Sequence, residues 1–545
     1  MKHKERMERA LLALQERTYY APYPENPRAY SEDADAKGKE AFQKQLSNPF
    51  VGLADDGNSG LIGEEVSPYM LVGLGVQYPK FSADILVERA KLAHNDWKKL
   101  SIEARADILV DMLDAVSERF FELGYATMHT TGQSFMMSFQ ASGPHANDRA
   151  MESIALGYHE LTRYAQNVDW VKNMGKFDLT IKKNFKPVSK GVGLVIGCST
   201  FPTWNTVPGV FANLISGNTA IIKPHPKSVL PIAIVVAEMQ KVLIQNGISP
   251  YTVQLAVDTL ASPITKDLAE HKEVKLIDYT GGSAFGEYIE SLPGKTVFTE
   301  KAGVNSVILE SVQDAKAVFG NLAFSFSLYS GQMCTAPQNI FVPSGGIKTA
   351  DGHLSYDEVV AGLSDAVIGL AENPKMGAFV MGAIQNDTTK NRVNETLGGI
   401  GEAALVAAVA PHPEFPDARL QTPTVLGIDA NESTWKHECF GPIVFVVKTE
   451  NASHALDLAA EMASEKGAIT CLCYSSDGDY MNAVEERMNE TFTPVSFNFT
   501  GAAFVNQHAA FSDFHVSGGN PSGNATFTDS LYINRRFVWV GNRFA

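Results

Sequence analysis

Residues 191–227 read GVGLVIGCSTFPTWNTVPGVFANLISGNTAIIKPHPK, and the order of apolar runs in this stretch decides the fold class. Gly191–Ile196 is short, apolar and rich in β-branched residues, which predicts a buried strand. Val207–Ser216 has helical length and stops at Gly217, a residue favoured just past a helix end. Thr219–Lys223 repeats the strand pattern. Ser228–Gln245 predicts a second helix, stopped by Gly247, and strands follow at Thr252–Val257 and Val274–Tyr279. Strands alternating with helices of this length imply parallel βαβ units, hence an α/β fold with helices on both faces of a sheet.

Working outward, a second alternating series runs toward the C-terminus. Its strands are predicted at Ser306–Leu309, Asn339–Val342, Val425–Ile428, Ile443–Lys448, Ala468–Tyr474 and Val495–Asn498, with helices at Ala315–Leu328, Tyr356–Ala371 and Ser453–Glu465. Upstream, Ser82–Leu161 carries helical apolar spacing, and Val168–Lys190 alternates as a hairpin does. Residues 1–60 are polar and punctuated by proline, with one short amphipathic helix near Met7–Gln15; they read as an extension that wraps or precedes a domain. The tail Ser530–Gly541 reads as a strand with Arg535 and Arg536 exposed.

The 545 residues carry 45 Lys+Arg against 61 Asp+Glu, a formal charge of −16. Such a surface repels phosphate backbones, so a nucleic-acid partner is not expected. No apolar run reaches the roughly 18 residues that span a bilayer; Val229–Met239 is among the longest. The first residues show no signal-peptide core. Five cysteines, only two of them close together (Cys471 and Cys473), give neither a disulfide framework nor a metal spacing. No metal is expected, and the reading is a cytoplasmic enzyme.

Several segments could carry chemistry, and each has a bland alternative. Cys334, in Ser330-Gly-Gln-Met-Cys-Thr-Ala, follows a helix and precedes a strand; a lone Cys is more often a small core residue than a nucleophile. An ordinary thiol is only about 3% ionised at neutral pH, so a nucleophile needs an activating neighbour. Glu300, in Val297-Phe-Thr-Glu-Lys-Ala-Gly, alone reads as a surface carboxylate paired with Lys301. Lys223-Pro-His-Pro-Lys227 lies at the carboxyl end of a strand, where α/β sheets bind ligands. Gly281-Gly-Ser-Ala-Phe-Gly286 opens a helix after a strand and could cradle a pyrophosphate. Glu438-Cys-Phe-Gly-Pro442 leads into a strand.

Taken in order, these segments resemble the aldehyde dehydrogenase superfamily, and the spacing between Glu300 and Cys334 matches it. The resemblance covers the chain beyond about residue 70. Within it, Ile196-Gly-Cys-Ser-Thr-Phe-Pro-Thr-Trp-Asn and the long N-terminus look most like the phenylacetic acid degradation branch, PaaN. The resemblance implies a Rossmann-type NAD(P)-binding domain (71–167 and 190–298) after an N-terminal extension (1–70). It also implies an α/β catalytic domain (299–524) and a small β element for oligomerisation (168–189 and 525–545). It further implies NAD(P)-dependent oxidation of an aldehyde, including an aromatic-catabolism or CoA-linked semialdehyde, in a homodimer or homotetramer.

In that reading Cys334 is the nucleophile, Glu300 activates water, and Thr200 stands where the family places an Asn of the oxyanion hole. Losing such a donor costs about 10²–10³ in rate; Asn205, expected to face the substrate tunnel, is the alternative donor. Lys223 bonds the adenosine ribose, Gly281 and Gly286 let the cofactor pass, Glu438 bonds the nicotinamide ribose and Phe440 steadies that region. Three residues after Lys223 stands Pro226 rather than a carboxylate, flanked by His225 and Lys227; two cations there favour NADP over NAD. Lys301 is expected to alter how Glu300 swings. Val516–Gly523 replaces the usual glycine-rich loop near the substrate mouth. Trp204, Phe324 and Tyr329 flank the site, each readable singly as helix core. The competing readings are a CoA-acylating dehydrogenase, disfavoured by Glu300, and a non-catalytic binding protein.

Overall fold

The computed structural model of the chain describes residues 1–398, 409–505, 510–513, 519–523 and 529–545. Its centre is a five-stranded parallel sheet in the spatial order Val253–Leu255, Thr219–Lys223, Val192–Ile196, Val274–Thr280, Thr296–Glu300. The inner strands are buried on both faces, which is why they read as unbroken apolar runs rather than alternating ones. Helices Val207–Ile215 and Leu230–Gln245 are buried along most of their length. Gly217 reverses the chain between helix and strand at φ +84°, a left-handed turn that suits glycine.

The strand order reverses between Val192–Ile196 and Val274–Thr280, and a parallel sheet opens a ligand crevice at the carboxyl ends of strands flanking such a point. Those ends deliver Cys198–Thr200, Lys223, Gly281 and Glu300 to one edge. The chain then enters a second sheet, six parallel strands in the order Thr424–Asp429, Ile443–Thr449, Pro337–Pro343, Asn305–Leu309, Cys471–Tyr474, Val495–Phe497. Cys334 lies just before one of these strands. The site therefore forms where the carboxyl edge of one sheet meets the amino ends of the next.

The first 60 residues wrap the helical layer. Helix Lys4–Glu16 buries Met7, Ala10 and Ala13 in the main core, and Ala34–Gln45 buries Phe42. No helix among the described residues is long and apolar enough to cross a membrane. The hairpin strands are Asn167–Asn173 and Asp178–Ser189, and the tail strand Phe537–Phe544 pairs antiparallel with the second. Val538, Val540 and Phe544 remain exposed on this small sheet.

The tail corrects one expectation. Ser530–Asn534 is helical, and Arg536 is 0% exposed instead of facing solvent. Its guanidinium grips Asp278 with two hydrogen bonds (2.7 and 2.5 Å), donates to Asn213 Oδ1 at 2.9 Å and lies 4.0 Å from the Phe298 ring centroid. Asp278 belongs to a central strand, so this fork ties the tail to the sheet. Removing one partner of a buried pair strands the other charge, at a cost of about 3–5 kcal/mol. Arg536→Met should accordingly lower the denaturation midpoint sharply, and adding Asp278→Asn should recover part of the loss. Additive losses in that double-mutant cycle would show that the pair is not coupled.

Candidate active site

Helix Ala315–Ser327 ends in three successive left-handed residues, Tyr329 (φ 53°), Ser330 (φ 50°) and Gly331 (φ 66°). Non-glycine residues held there cost about 1–3 kcal/mol each, so the surroundings must enforce the turn. They do so with hydrogen bonds. Tyr329 donates to the Thr131 carbonyl at 2.5 Å, and Ser330 to the carbonyls of Met381 (3.0 Å) and Gln421 (3.1 Å). A Cβ on Gly331 would meet the Gly441 carbonyl oxygen at 2.5 Å, so the Cys334 loop and the Glu438–Pro442 loop pack backbone to backbone. Asn305 completes the clamp: its amide donates to the carbonyls of Cys334 (2.7 Å) and Ala336 (3.1 Å), while its oxygen accepts the Ile469 and Thr470 N–H groups. Every contact is to backbone, leaving the thiol available.

Glu300 is 2% exposed, far from the surface role that its sequence alone suggested. Asn205 donates to its Oε2 at 3.3 Å. Lys301 turns away, its ammonium on Glu290 at 3.0 Å and its stem filling the space beside Gly286. Burial, and then the adjacent Glu300 carboxylate, push the Cys334 thiol well above its usual range. The Cys334 side chain is thus held as a thiol in contact with Glu300.

Thr200 lies beside a second thiol. Burial, and then Glu300, raise the Cys198 thiol, against bonds to the Phe201 backbone and to the Thr200 backbone and hydroxyl. The Thr200 carbonyl accepts the Gln133 amide at 2.7 Å. Asn205, the alternative oxyanion donor, lines the cavity beside Cys334 and at the same time holds Glu300.

The residues expected at the cofactor divide into two groups. Glu438 and Phe440 line a small pocket together with Cys334, Asn305 and Gly303. Burial raises the Glu438 carboxyl to about 7 against the opposing pull of Arg392 and a bond from Gly303. Across the site, the Lys223 ammonium lies 2.6 Å from Asp258, with side chains 3% and 1% exposed. His225 accepts the Lys227 N–H at 3.2 Å. Burial and two neighbouring lysines lower it to about 4, so it is neutral at neutral pH and is not the cation expected.

Gly281–Gly282 opens helix Ser283–Ser291, whose start has no side-chain cap, and nothing lies within 4 Å of a Cβ built on Gly282. Uncapped N–H groups at a helix start suit a pyrophosphate. These residues therefore fit a nicotinamide dinucleotide.

Beside Cys334 opens a cavity of about 960 Å³. Met137, Trp204, Phe324, Phe379, Phe497 and Phe504 line it. Tyr329 does not; it is fully buried behind the loop. Of Val516–Gly523, residues 516–518 lie outside the described residues. The remainder backs the Glu300 strand, where Gly523 bridges Glu300 and the Ser522 carbonyl accepts the Lys301 N–H.

Sequence reasoning missed Asn305, Asp258 and the placement of Cys198. Gln338 was missed too; its side chain accepts the Cys439 N–H at 2.7 Å and donates to the His437 carbonyl at 2.9 Å, fixing the Glu438 loop. The only available signal was position, polar residues interrupting or ending strands that are otherwise apolar.

The family model described as "Aldehyde dehydrogenase family" matches residues 77–531. The crystal structure of an NAD-dependent aldehyde dehydrogenase from Burkholderia multivorans superposes with a TM-score of 0.96 at 42% identity, covering 100% of this chain and 98% of that one. A 1-pyrroline-5-carboxylate dehydrogenase from Bacillus subtilis (strain 168) is 23% identical over 523 residues, 90% of this chain and 94% of its own length. The structure of 1-pyrroline-5-carboxylate dehydrogenase from Thermus with bound NAD aligns with a TM-score of 0.74 at 18% identity, over 97% of this chain and 99% of that one.

Proposed function

The chain belongs to the aldehyde dehydrogenase family and is an oxidoreductase, and from that premise we propose that it oxidises a bulky, apolar aldehyde to its carboxylic acid. The observation that carries the substrate class is the aromatic cavity beside Cys334, at the upper end of the volumes that ligand pockets span. A small substrate bearing a carboxylate, as the pyrroline-5-carboxylate relatives' name denotes, would call for a cation deep in the cavity. Lys375 on its lining is exposed, His145 pairs with Glu25 at 2.7 Å, and the buried Arg149, 5.2 Å from the Trp204 ring centroid, pairs with Glu152 at 2.8 Å. Aromatic-catabolism aldehydes, including those of phenylacetic acid degradation, belong in the set to test on the strength of that lining alone.

In this reading Glu300 takes the thiol proton as Cys334 adds to the aldehyde carbonyl, giving a thiohemiacetal. A bound nicotinamide supplies the hydride acceptor. Loss of hydride to that acceptor leaves a thioester on Cys334; Glu300 passes the thiol proton to solvent and, a carboxylate again, takes a proton from the water that hydrolyses the thioester. The candidate donors to the developing oxyanion are the Cys334 N–H and either Thr200 or Asn205, the latter on the cavity lining. Lys223, the Gly281–Gly282 turn, Glu438 and Phe440 hold the dinucleotide. Glu300, buried against Asn205, supports hydrolysis over acyl transfer to CoA. Homo-oligomerisation through the three-stranded sheet is part of the same proposal.

The test is reduction of NAD and NADP, followed by nicotinamide absorbance, with aromatic, long aliphatic and short charged aldehydes, with and without CoA. Highest kcat/KM on bulky apolar aldehydes, independent of CoA, is the expected result. Preference for a short charged aldehyde, or a CoA thioester as product, would overturn it.

A further inference from the structure

We propose that Gln385 is a positioning residue for the reaction: it ties segment 198–205 to the Cys334 loop and so sets the gap between the thiol and the donor that meets the oxyanion from the other side. This rests on the reading that Cys334 is the nucleophile and that Thr200 or Asn205 supplies such a donor. The two sides belong to different sheets. Thr200 and Asn205 follow Val192–Ile196 of the five-stranded sheet, and Cys334 precedes Pro337–Pro343 of the six-stranded one. Among the described residues no strand ladder joins those sheets, so the separation has to be set by something else.

Gln385 is 5% exposed and bonds both sides at once. It lies between helices Gly377–Met381 and Asp387–Gly398. Its main-chain N–H donates to Gln332 Oε1 at 3.0 Å, two residues before Cys334. Gln332 returns the contact, its amide donating to the Tyr329 and Ala383 carbonyls at 3.1 Å each. In the other direction, Gln385 Nε2 donates to the Ser199 carbonyl at 2.7 Å, next to Thr200, and to the Thr130 carbonyl at 3.2 Å. The backbone beneath it is pinned as well. The Ile384 N–H donates to the Arg419 carbonyl at 2.7 Å and the Ala383 N–H to the Gly132 carbonyl at 2.6 Å.

The neighbouring hydrogen bonds each hold one side. Ser228 Oγ donates to the Ser199 carbonyl at 2.7 Å, but Ser228 follows Thr219–Lys223 in the same sheet as Ser199. Gln133 ties the Thr200 carbonyl, and Tyr329 ties the Cys334 loop, to the end of helix Phe120–Thr131. Asn305 clamps Cys334 from within its own sheet. The Phe201 and Tyr329 rings do meet across the gap, edge-on with centroids 5.9 Å apart, yet a ring contact fixes distance and direction less sharply than a hydrogen bond. A side-chain substitution at Gln385 spares its main-chain bond to Gln332, so it should free the Thr200 side and leave the thiol where it is.

The test reacts the intact enzyme, without nucleotide, with two reagents that share the Cys334 thiol and differ in whether an oxyanion forms. Iodoacetamide alkylates sulfur by displacing iodide from a saturated carbon, with no oxyanion. 4-Nitrophenyl acetate acetylates it through a tetrahedral oxyanion and releases 4-nitrophenolate. In Gln385→Met, acetylation should slow by about 10- to 100-fold while alkylation of Cys334, read by mass spectrometry, stays within about threefold. For aldehyde oxidation kcat should fall in parallel, with KM within about threefold. Ser228 still serves the Ser199 carbonyl, so the variant should fold. Gln385→Asn keeps a buried amide but is one methylene short; it should show the same pattern with a smaller loss and serves if the Met variant is unstable. Equal slowing of both reagents, as a general loosening of the site would give, or unchanged acetylation in folded variants, would overturn the proposal. If Cys334→Ser takes up the acetyl group as fast as wild type, the nucleophile reading falls instead, and the proposal falls with it.

Discussion

Replacing Cys334 with serine should lower turnover by about 10⁴-fold or more while leaving dinucleotide affinity within a few fold. The chemistry needs a group that adds to a carbonyl and then carries the acyl product. A serine hydroxyl titrates far above a thiol, and the carboxylate beside it is too weak a base to ionise it. The variant should fold, because the loop is held through its backbone. Asn305 bonds the carbonyl of residue 334, and Tyr329, Ser330 and Gly331 fix the approach.

The matching control is Cys198→Ser. Cys198 is also close enough to Glu300 for that carboxylate to raise its thiol, so it is the alternative nucleophile. Turnover within a few fold in Cys198→Ser, and its loss in Cys334→Ser, assigns the chemistry. The reverse pattern would move it to Cys198. Steady-state rates by nicotinamide absorbance and mass spectrometry of the trapped thioester give two separate readouts.

What made the site legible was chain order, and what hid part of it was chain crossing. Thr219–Lys223 and Tyr356–Ala371 carry in their own residues the apolar pattern and stop signals that set their ends, and the structure places both within those bounds. Glu300 and Cys334, each bland when read alone, could be picked out because their order and spacing resemble those of the aldehyde dehydrogenase superfamily. Asp258 and Lys223 are far apart along the chain and meet only because their strands are adjacent. Arg536 looks like a surface cation until the tail folds back onto Asp278. The Tyr329–Gly331 turn is invisible in composition, since its left-handed backbone is imposed by carbonyls of other segments. His225 shows the same limit for charge. Its neutrality comes from burial beside two lysines, and burial is a property of the fold.

Glu300→Gln separates the two halves of the reaction. The amide keeps the size of the carboxylate and can still meet Asn205, but it cannot accept a proton. Hydrolysis of the acyl-enzyme should slow by about 10²–10⁴-fold, the usual worth of a positioned base. Reduced nicotinamide should appear as a burst of one equivalent per subunit, slowed because the thiol has also lost its proton acceptor, and then nearly stop. Thioester should accumulate on Cys334, visible as a mass increase. The same substitution should have an opposite effect on the resting thiol. Because the Glu300 carboxylate raises the Cys334 thiol, removing its charge lowers that pKa. The pH midpoint for alkylation of the enzyme without nucleotide should therefore shift downward even as turnover collapses. Loss of folding would depress both readouts, so the opposed pair identifies the charge itself as the cause. An unchanged steady-state rate, or an alkylation midpoint that rises, would remove Glu300 from the base role and leave hydrolysis to water activated elsewhere in the cavity.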